Sequence, residues 1–223
     1  MNTALIFAGG AGQRMNSRSK PKQFIELRGK PIIIYTLEHF EAHPKIDCIV
    51  VACLKGWINE LQMLLKRYNL HKVNKIVPGG VTGFESIYKA LASLANDCAD
   101  DDIVLIHDGA RPYITEKIIS DCIQCVIENK SAICAVPVTD TIAEVRSGEI
   151  TKTIERNLLY KIQTPQGFYF KGILNAYESL TDNENYTDDS QVYQKTFKKS
   201  HIFLGSMENI KITYKSDITK GVK

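Results

Sequence analysis

The sequence predicts an α/β fold: a mostly parallel sheet with helices on both faces and a projecting β-arm. Two observations carry this expectation. Short apolar, β-branched runs alternate with amphipathic helical stretches at least four times, the pattern of strands joined by crossover helices. After residue 138 the alternation gives way to two short runs around a Ser147-Gly148 turn, the signature of a hairpin.

In chain order, residues 3–8 read as a fully buried strand ended by Gly9-Gly10-Ala11-Gly12. Residues 31–41 read as a helix, with Pro31 at an early position where its missing N–H costs nothing. A strand over 46–53 and an amphipathic helix over 57–68 follow, then a strand over 72–77, Pro78-Gly79-Gly80 and a helix over 84–95. Residues 102–107 form a fourth strand, succeeded by a Thr115-capped helix and a strand over 132–138. The arm spans residues 139–156, and Gln163-Thr-Pro-Gln166 is expected on or beside it. Helices near 170–180 and 188–197 and short strands around 201–204 and 210–213 close the chain. With no internal repeat or linker, residues 1–223 are expected to form a single domain with an arm.

Composition excludes other classes. The 223 residues are 44% hydrophobic and 24% charged, an ordinary globular mixture. A net charge of +3 is too weak for a nucleic-acid footprint, so no nucleic-acid partner is expected. No run approaches the roughly 18 apolar residues of a membrane span, so no membrane partner is expected either. The first ten residues lack the basic region of a secretion signal, so the expected location is cytoplasmic, with the six cysteines as reduced thiols. Cys122-Ile-Gln-Cys125 has redox or zinc spacing, but without a second such pair it reads as a buried, inert helix face.

Three candidate loops, 9–22, 78–86 and 107–112, sit at the carboxyl ends of strands, where open α/β sheets bind ligands, and two of them carry candidate chemistry in their own residues. The first, Phe7-Ala8-Gly9-Gly10-Ala11-Gly12-Gln13-Arg14-Met15, lets backbone N–H groups approach a phosphate chain, with the cations Arg14 and Lys22 beside it. A dinucleotide fingerprint fails because Met15 takes the third glycine's place and the second strand ends in Cys53-Leu54-Lys55, with no ribose-binding acid. A P-loop fails because Pro31 follows Gly29-Lys30. An ordinary tight turn with solvated charges accounts for the loop alone equally well. The second, His107-Asp108-Gly109-Ala110-Arg111-Pro112, ends an apolar strand in a carboxylate placed to hold Mg²⁺ against phosphates; Arg111-Pro112 fixes the exit of the loop and His107 reads as a satisfied structural histidine. Asp140, Thr141 and Arg156 lie on the arm, where Arg156 could simply pair with Glu144 or Glu155. Thr187-Asp188-Asp189-Ser190 is an N-cap signature. Lys211 lies among apolar residues of a short strand, and alternation alone leaves open which face is buried.

The ordered set of Ala8-Gly-Gly-x-Gly-x-Arg-Met15, Pro21-Lys-Gln-Phe24, Gly29-Lys-Pro-Ile32, Gly79-Gly80 with Ser86, His107-Asp-Gly-Ala-Arg-Pro112, Asp140-Thr141, Arg156, Gln163-Thr-Pro-Gln166, Thr187-Asp188 and Asn209-Ile-Lys-Ile-Thr213 resembles CTP-dependent cytidylyltransferases of phosphorylated polyols. The resemblance covers nearly the whole chain and implies a Rossmann-like sheet of the nucleotide-diphospho-sugar transferase type. It also implies a homodimer using CTP, a small polyol phosphate and Mg²⁺ or another divalent cation. By the resemblance, Arg14, Lys22, Arg156 and Lys211 are catalytic and Asp108 holds the metal. CTP would be bound by Phe7, Ala8, Gly9, Gly10, Gly12, Gly79, Gly80, Ser86, Asp108 and Gly109, the loop from Gly79 to Ser86 surrounding the cytosine. Asp140, Thr141 and Arg156 of a second subunit, with Lys211, would reach the polyol phosphate. One departure is Gly83, where the family usually carries arginine. Ala8-Gly-Gly10, Gly56-Trp-Ile58 and Tyr160 before Gln163-Thr-Pro resemble the branch making CDP-ribitol for teichoic acid or capsule; His107-Asp-Gly-Ala-Arg111, Thr153-Ile-Glu-Arg156 and Thr187-Asp-Asp189 resemble the branch making CDP-methylerythritol for isoprenoids. The expected acceptor is D-ribitol 5-phosphate, with 2-C-methyl-D-erythritol 4-phosphate the alternative. A non-catalytic nucleotide-binding module is the reading of another class.

Overall fold

The computed structural model describes residues 1–10, 20–180, 186–214 and 216–217; Gly12 and Arg14 lie outside them. β1 (Asn2–Ala8) is followed by a 3₁₀ turn at Lys22–Phe24 and a two-strand ribbon of β2 (Glu26–Leu27) and β3 (Lys30–Pro31). Then come α1 (Ile32–Ala42), β4 (Cys48–Cys53), α2 (Ile58–Arg67), β5 (Val73–Pro78), α3 (Gly83–Ala92), β6 (Ile103–Asp108), α4 (Glu116–Asn129) and β7 (Ser131–Pro137). The arm is β8 (Ile142–Arg146) and β9 (Glu149–Ile154). After it come β10 (Tyr160–Tyr169), α5 (Phe170–Glu178), α6 (Asp189–Phe197) and β11 (Ile202–Leu204).

Seven strands form one sheet in the order β11-β7-β10-β6-β1-β4-β5, parallel except for β10, which runs against both neighbours. The interior strands alternate side chains between two apolar layers. Ala4, Ile6, Ile49, Val51 and Leu105 meet α1, α2 and α4 on one face, while Leu5, Val50, Val104, Ile106 and Phe168 meet α3, α5 and α6 on the other. Cys122 and Cys125 are buried on α4, and burial raises both thiols, Cys122 well above the ordinary range, so they pack as small apolar groups. No helix among the described residues is long and apolar enough to cross a membrane.

Two expectations are corrected. Gln163-Thr-Pro-Gln166 is not beside the arm but inside β10, between β6 and β7, where a register shift between Ile162 and Gln166 interrupts the ladder. Residues 210–213 are not a strand: Ile212 donates its backbone N–H to the Ala110 carbonyl at 2.9 Å, so this segment is pinned to the loop after β6 rather than to a neighbouring strand.

The caps foreseen from sequence are in place. Thr115 accepts from the Ile118 N–H at the start of α4, and Asp188 accepts from the Gln191 N–H at the start of α6. Asp189, the next residue, is buried and accepts a hydrogen bond from the Tyr177 hydroxyl of α5. Burial raises its carboxyl to about 7 against the Tyr177 hydrogen bond, with the Asp188 and Asp108 charges adding to the rise. A raised carboxyl favours the native state below the unfolded value near 4 and loses that contribution as pH climbs to about 7. Asp189→Asn keeps the acceptor and removes the ionisation. Its stability relative to wild type should therefore rise between pH 5 and pH 8 by on the order of 2 kcal/mol. Denaturant melts at both values measure it; an unchanged difference would show that Asp189 does not ionise in this range.

Candidate active site

β1 and β6 are adjacent and in register, so Phe7 lies opposite Asp108 and both strands deliver their last residues to one edge of the sheet. Gly109 continues the contact: its N–H donates to the Phe7 carbonyl at 2.9 Å, and a Cβ at Gly109 would sit 3.1 Å from that oxygen. From β5, Gly79 donates to the Cys53 carbonyl at 2.7 Å, which brings the Gly79-Gly80 turn alongside. Thr82 caps α3 by accepting from the Glu85 N–H at 3.0 Å, and the buried Ser86 hydroxyl accepts from the Gly80 N–H while donating to the Thr82 carbonyl, both at 2.8 Å. Ser86 thus braces the loop from beneath. The close approach requires glycine: a Cβ at Gly9 would fall 2.9 Å from both Phe7 Cε2 and Ser86 Oγ.

These turns enclose a cleft of about 460 Å³ that includes Phe7, Gly9, Gly10, Lys22, Gly80 and Asp108 in its lining. A second lobe of about 510 Å³ adjoins it, and Phe7, Gly83, Asp108 and Lys211 belong to both. The second lobe is otherwise mixed: Arg111, Gln163, Thr164, Gln166 and the Thr187–Asp189 start of α6 lie among the apolar Phe84, Ile87 and Ile162.

Asp108 stands on the shared wall, 9% exposed. Lys211 Nζ lies 2.8 Å from Oδ1 and Arg111 Nε donates to Oδ2 at 3.1 Å. Burial alone would raise this carboxyl, but Lys211 and Arg111, with Lys22 farther off, hold it well below the usual carboxylate range. The wall therefore carries a fixed anion between two cations. Beneath it His107 is fully buried, and burial lowers it to about 3, so it is neutral. Its tautomer follows from its partners. The Arg111 carbonyl, 3.3 Å from Nε2, can only accept, so Nε2 carries the proton and Nδ1 accepts from the Thr164 hydroxyl at 3.0 Å. Thr164 Oγ1 in turn accepts from the Asp108 N–H at 3.1 Å. His107 is the structural histidine expected.

Phe7, Ala8, Gly9, Gly10, Lys22, Gly80, Asp108 and Lys211 thus converge on one cleft, with Gly79, Ser86 and Gly109 supporting it from behind. Asp140, Thr141 and Arg156 do not join them in this chain. They are exposed at the arm, where Arg156 donates to the Thr139 carbonyl at 2.9 Å and Lys161 Nζ lies 3.9 Å from Asp140. Sequence reasoning missed Gln23, whose Nε2 donates to the Ala8 carbonyl and, at 3.2 Å, to that of Gly10, which fixes the glycine turn from below. It also missed Arg111 as the partner of Asp108, and Gln166 and Asp189 in the second lobe. The one available signal was the presence of amides within Pro21-Lys-Gln and Gln163-Thr-Pro-Gln, where solvated surface would have tolerated anything.

A divalent cation finds one carboxylate here, since no group of three potential ligands occurs among the described residues. That suits magnesium, which is commonly held by one or two carboxylates together with substrate phosphates and water. The bonds to Lys211 and Arg111 use only two of the roughly four acceptor positions of Asp108. The donor set fits a cation that arrives with a nucleotide.

Comparison with known proteins agrees with this geometry. A family model described as IspD, 2-C-methyl-D-erythritol 4-phosphate cytidylyltransferase, matches residues 2–221. A ribitol-5-phosphate cytidylyltransferase of Vibrio parahaemolyticus is 42% identical over 217 residues, which cover 96% of this chain and 91% of that protein. A 2-C-methyl-D-erythritol 4-phosphate cytidylyltransferase of Clostridium botulinum is 40% identical over 222 residues, 99% of this chain and 95% of that one. Among solved structures, a 4-diphosphocytidyl-2C-methyl-D-erythritol synthase from Anaerococcus prevotii superposes with a TM-score of 0.84 at 30% identity, covering 99% and 93% of the two chains. The Francisella tularensis 2-C-methyl-D-erythritol 4-phosphate cytidylyltransferase gives 0.82 at 29%, covering 99% and 98%. With a nucleotide-sized cleft lined by glycines and lysines and a family match over nearly its full length, the chain belongs to the IspD family and is a CTP-dependent cytidylyltransferase acting on a polyol phosphate.

Proposed function

We propose that the enzyme transfers CMP from CTP to D-ribitol 5-phosphate, giving CDP-ribitol and pyrophosphate. The observation that carries this reading is the pair of lobes meeting at the Asp108–Lys211 wall, one glycine-lined and one lined by both polar and apolar side chains. The triphosphate lies against the turn of Gly9 and Gly10, the cytosine within the loop from Gly79 to Ser86, and the acceptor in the second lobe. A phosphate oxygen of the acceptor attacks the α-phosphorus of CTP; a new P–O–P link forms as the bond to the β-phosphate breaks, and pyrophosphate leaves with the electron pair. An alkyl phosphate has a second pKa near 6 and is largely dianionic at neutral pH, so no general base is needed. The buried, neutral His107 supplies none.

Catalysis then consists of in-line positioning and charge stabilisation. Arg14 and Lys22 stabilise charge on the reacting triphosphate, and Lys211 exchanges its bond with Asp108 for one with the acceptor phosphate. When bound, Mg²⁺ at Asp108 supplies further neutralisation of the triphosphate. Gly83 leaves the junction of the lobes open: a Cβ there would meet only Phe7, at an ordinary 3.5 Å. The chain's relatives at 42% and 40% identity carry the two different acceptor names, so sequence distance does not choose between them. The lean to ribitol comes from Gly10, Gly56-Trp-Ile58 and Tyr160, which resemble the ribitol branch.

The active form is proposed to be a homodimer in which Asp140, Thr141 and Arg156 of one subunit complete the acceptor site of the other. The hairpin β8–β9 pairs only with itself, and Val145, Ile150 (70% exposed) and Leu158 (76%) present apolar surface around it. A lone two-stranded hairpin is marginal in water, and such surface is best covered by a second copy.

Pyrophosphate release with CTP and Mg²⁺ should be fastest with ribitol 5-phosphate and abolished by EDTA. A preference for methylerythritol 4-phosphate overturns the acceptor assignment, and no turnover with any polyol phosphate would favour the non-catalytic module. For the shared site, inactive Arg156→Ala mixed with inactive Lys22→Ala under subunit exchange should recover roughly a quarter of wild-type activity. No recovery despite demonstrated exchange means that each site is built from one chain.

A further inference from the structure

We propose that Gln166 is a specificity-determining residue that accepts a hydrogen bond from the terminal hydroxyl of the acceptor polyol. The proposal rests on the reading of the second lobe as the acceptor site. Gln166 is 1% exposed and lines that lobe, yet its Oε1 has no hydrogen-bond partner among the described residues. The other half of the amide is held, though weakly: Nε2 donates to the Gln163 carbonyl at 3.5 Å. A buried acceptor left unmatched costs about 1–3 kcal/mol, so its retention in the lining calls for a donor that none of the described residues supplies.

The rest of the lobe says what that donor is. Both of its cations, Arg111 and Lys211, are on the Asp108 wall, where they would anchor a phosphate. Away from that wall the polar lining is amides, Thr164, Thr187 and the carboxylates of Asp188 and Asp189. The amides and hydroxyls both donate and accept and the carboxylates accept, a set that suits a chain of hydroxyls and, away from the cations, is unsuited to a second anion. Gln166 is carried by β10 opposite Ile106, and its position is fixed by the sheet rather than by a loop. Ribitol 5-phosphate has one more chain carbon and one more hydroxyl than methylerythritol 4-phosphate, so its far end reaches deeper than the branched acceptor. A site built to pair a hydroxyl rejects an analogue lacking it, because the buried partner is then left unmet.

The test is a variant–substrate cycle on the full-length enzyme. Wild type and Gln166→Met, which keeps the volume and removes the acceptor, are assayed with ribitol 5-phosphate and with 1-deoxyribitol 5-phosphate. Either change alone should lower kcat/KM about tenfold to a hundredfold, chiefly through the acceptor KM, with the KM for CTP unchanged. Both together should cost no more than one. Additive losses, a parallel rise in the KM for CTP, or an unaffected variant overturns the proposal. Should Gln166→Met fail to fold, wild type that uses the deoxy acceptor as well as ribitol 5-phosphate overturns it without the variant. The acceptor preference of wild type tests the ribitol reading, and the non-additivity tests Gln166, so the two failures are distinct.

Discussion

The site depends on one buried anion. Asp108 ends a central strand with a carboxylate that burial would neutralise, and it stays ionised because Arg111 and Lys211 bracket it. Each cation is in turn tied to the fold. Arg111 donates to the Asn209 carbonyl at 2.8 Å, and the backbone of Ile212 docks on Ala110, so the carboxylate gathers the loop after β6 and the C-terminal segment into one wall. Removing either cation would leave a buried charge partly unmatched, which is far costlier than the pair is favourable. Electrostatics here serve position more than stability.

A second tier makes that wall rigid. Neutral His107 orients Thr164, Thr164 holds the Asp108 N–H, and the Asn209 side chain donates to the Thr164 carbonyl at 2.8 Å. The chain of bonds runs from β6 through β10 to the C-terminal segment without passing through solvent. A carboxylate held this way cannot reorganise when charge develops nearby, which is the condition under which fixed dipoles and charges are most effective.

Much of this was legible in the sequence. A Gly-Gly turn after an apolar strand, an acid at the end of another, caps at Thr115 and Asp188, and Ser147-Gly148 at a hairpin tip are local signals. They held because local geometry decides them: Ser147 and Gly148 both take positive φ, 51° and 87°. What escaped was decided by distant partners. Tyr160–Tyr169 carries Pro and two glutamines and lacks strand alternation, yet it fills the sheet because β6 and β7 are left a strand's width apart. Residues 210–213 alternate like a strand but bond to Ala110 instead. Gln23 and Gln166 stood within motifs but without a role of their own, and their burial is what reveals one. Whether Lys211 faced ligand or core turned on Asp108, more than a hundred positions away.

The reversal of β10 has a topological consequence. β7 runs outward to the ligand edge and β10 starts back from that same edge, so everything between them must emerge there. Had β10 been parallel, the connection would have crossed to the far side and carried the hairpin away from the cleft. Residues 138–159 therefore form a segment whose length and composition can drift while it still emerges at the ligand edge of the sheet. The strands that carry Asp108 and Gln166 can stay constant while that outlying segment changes.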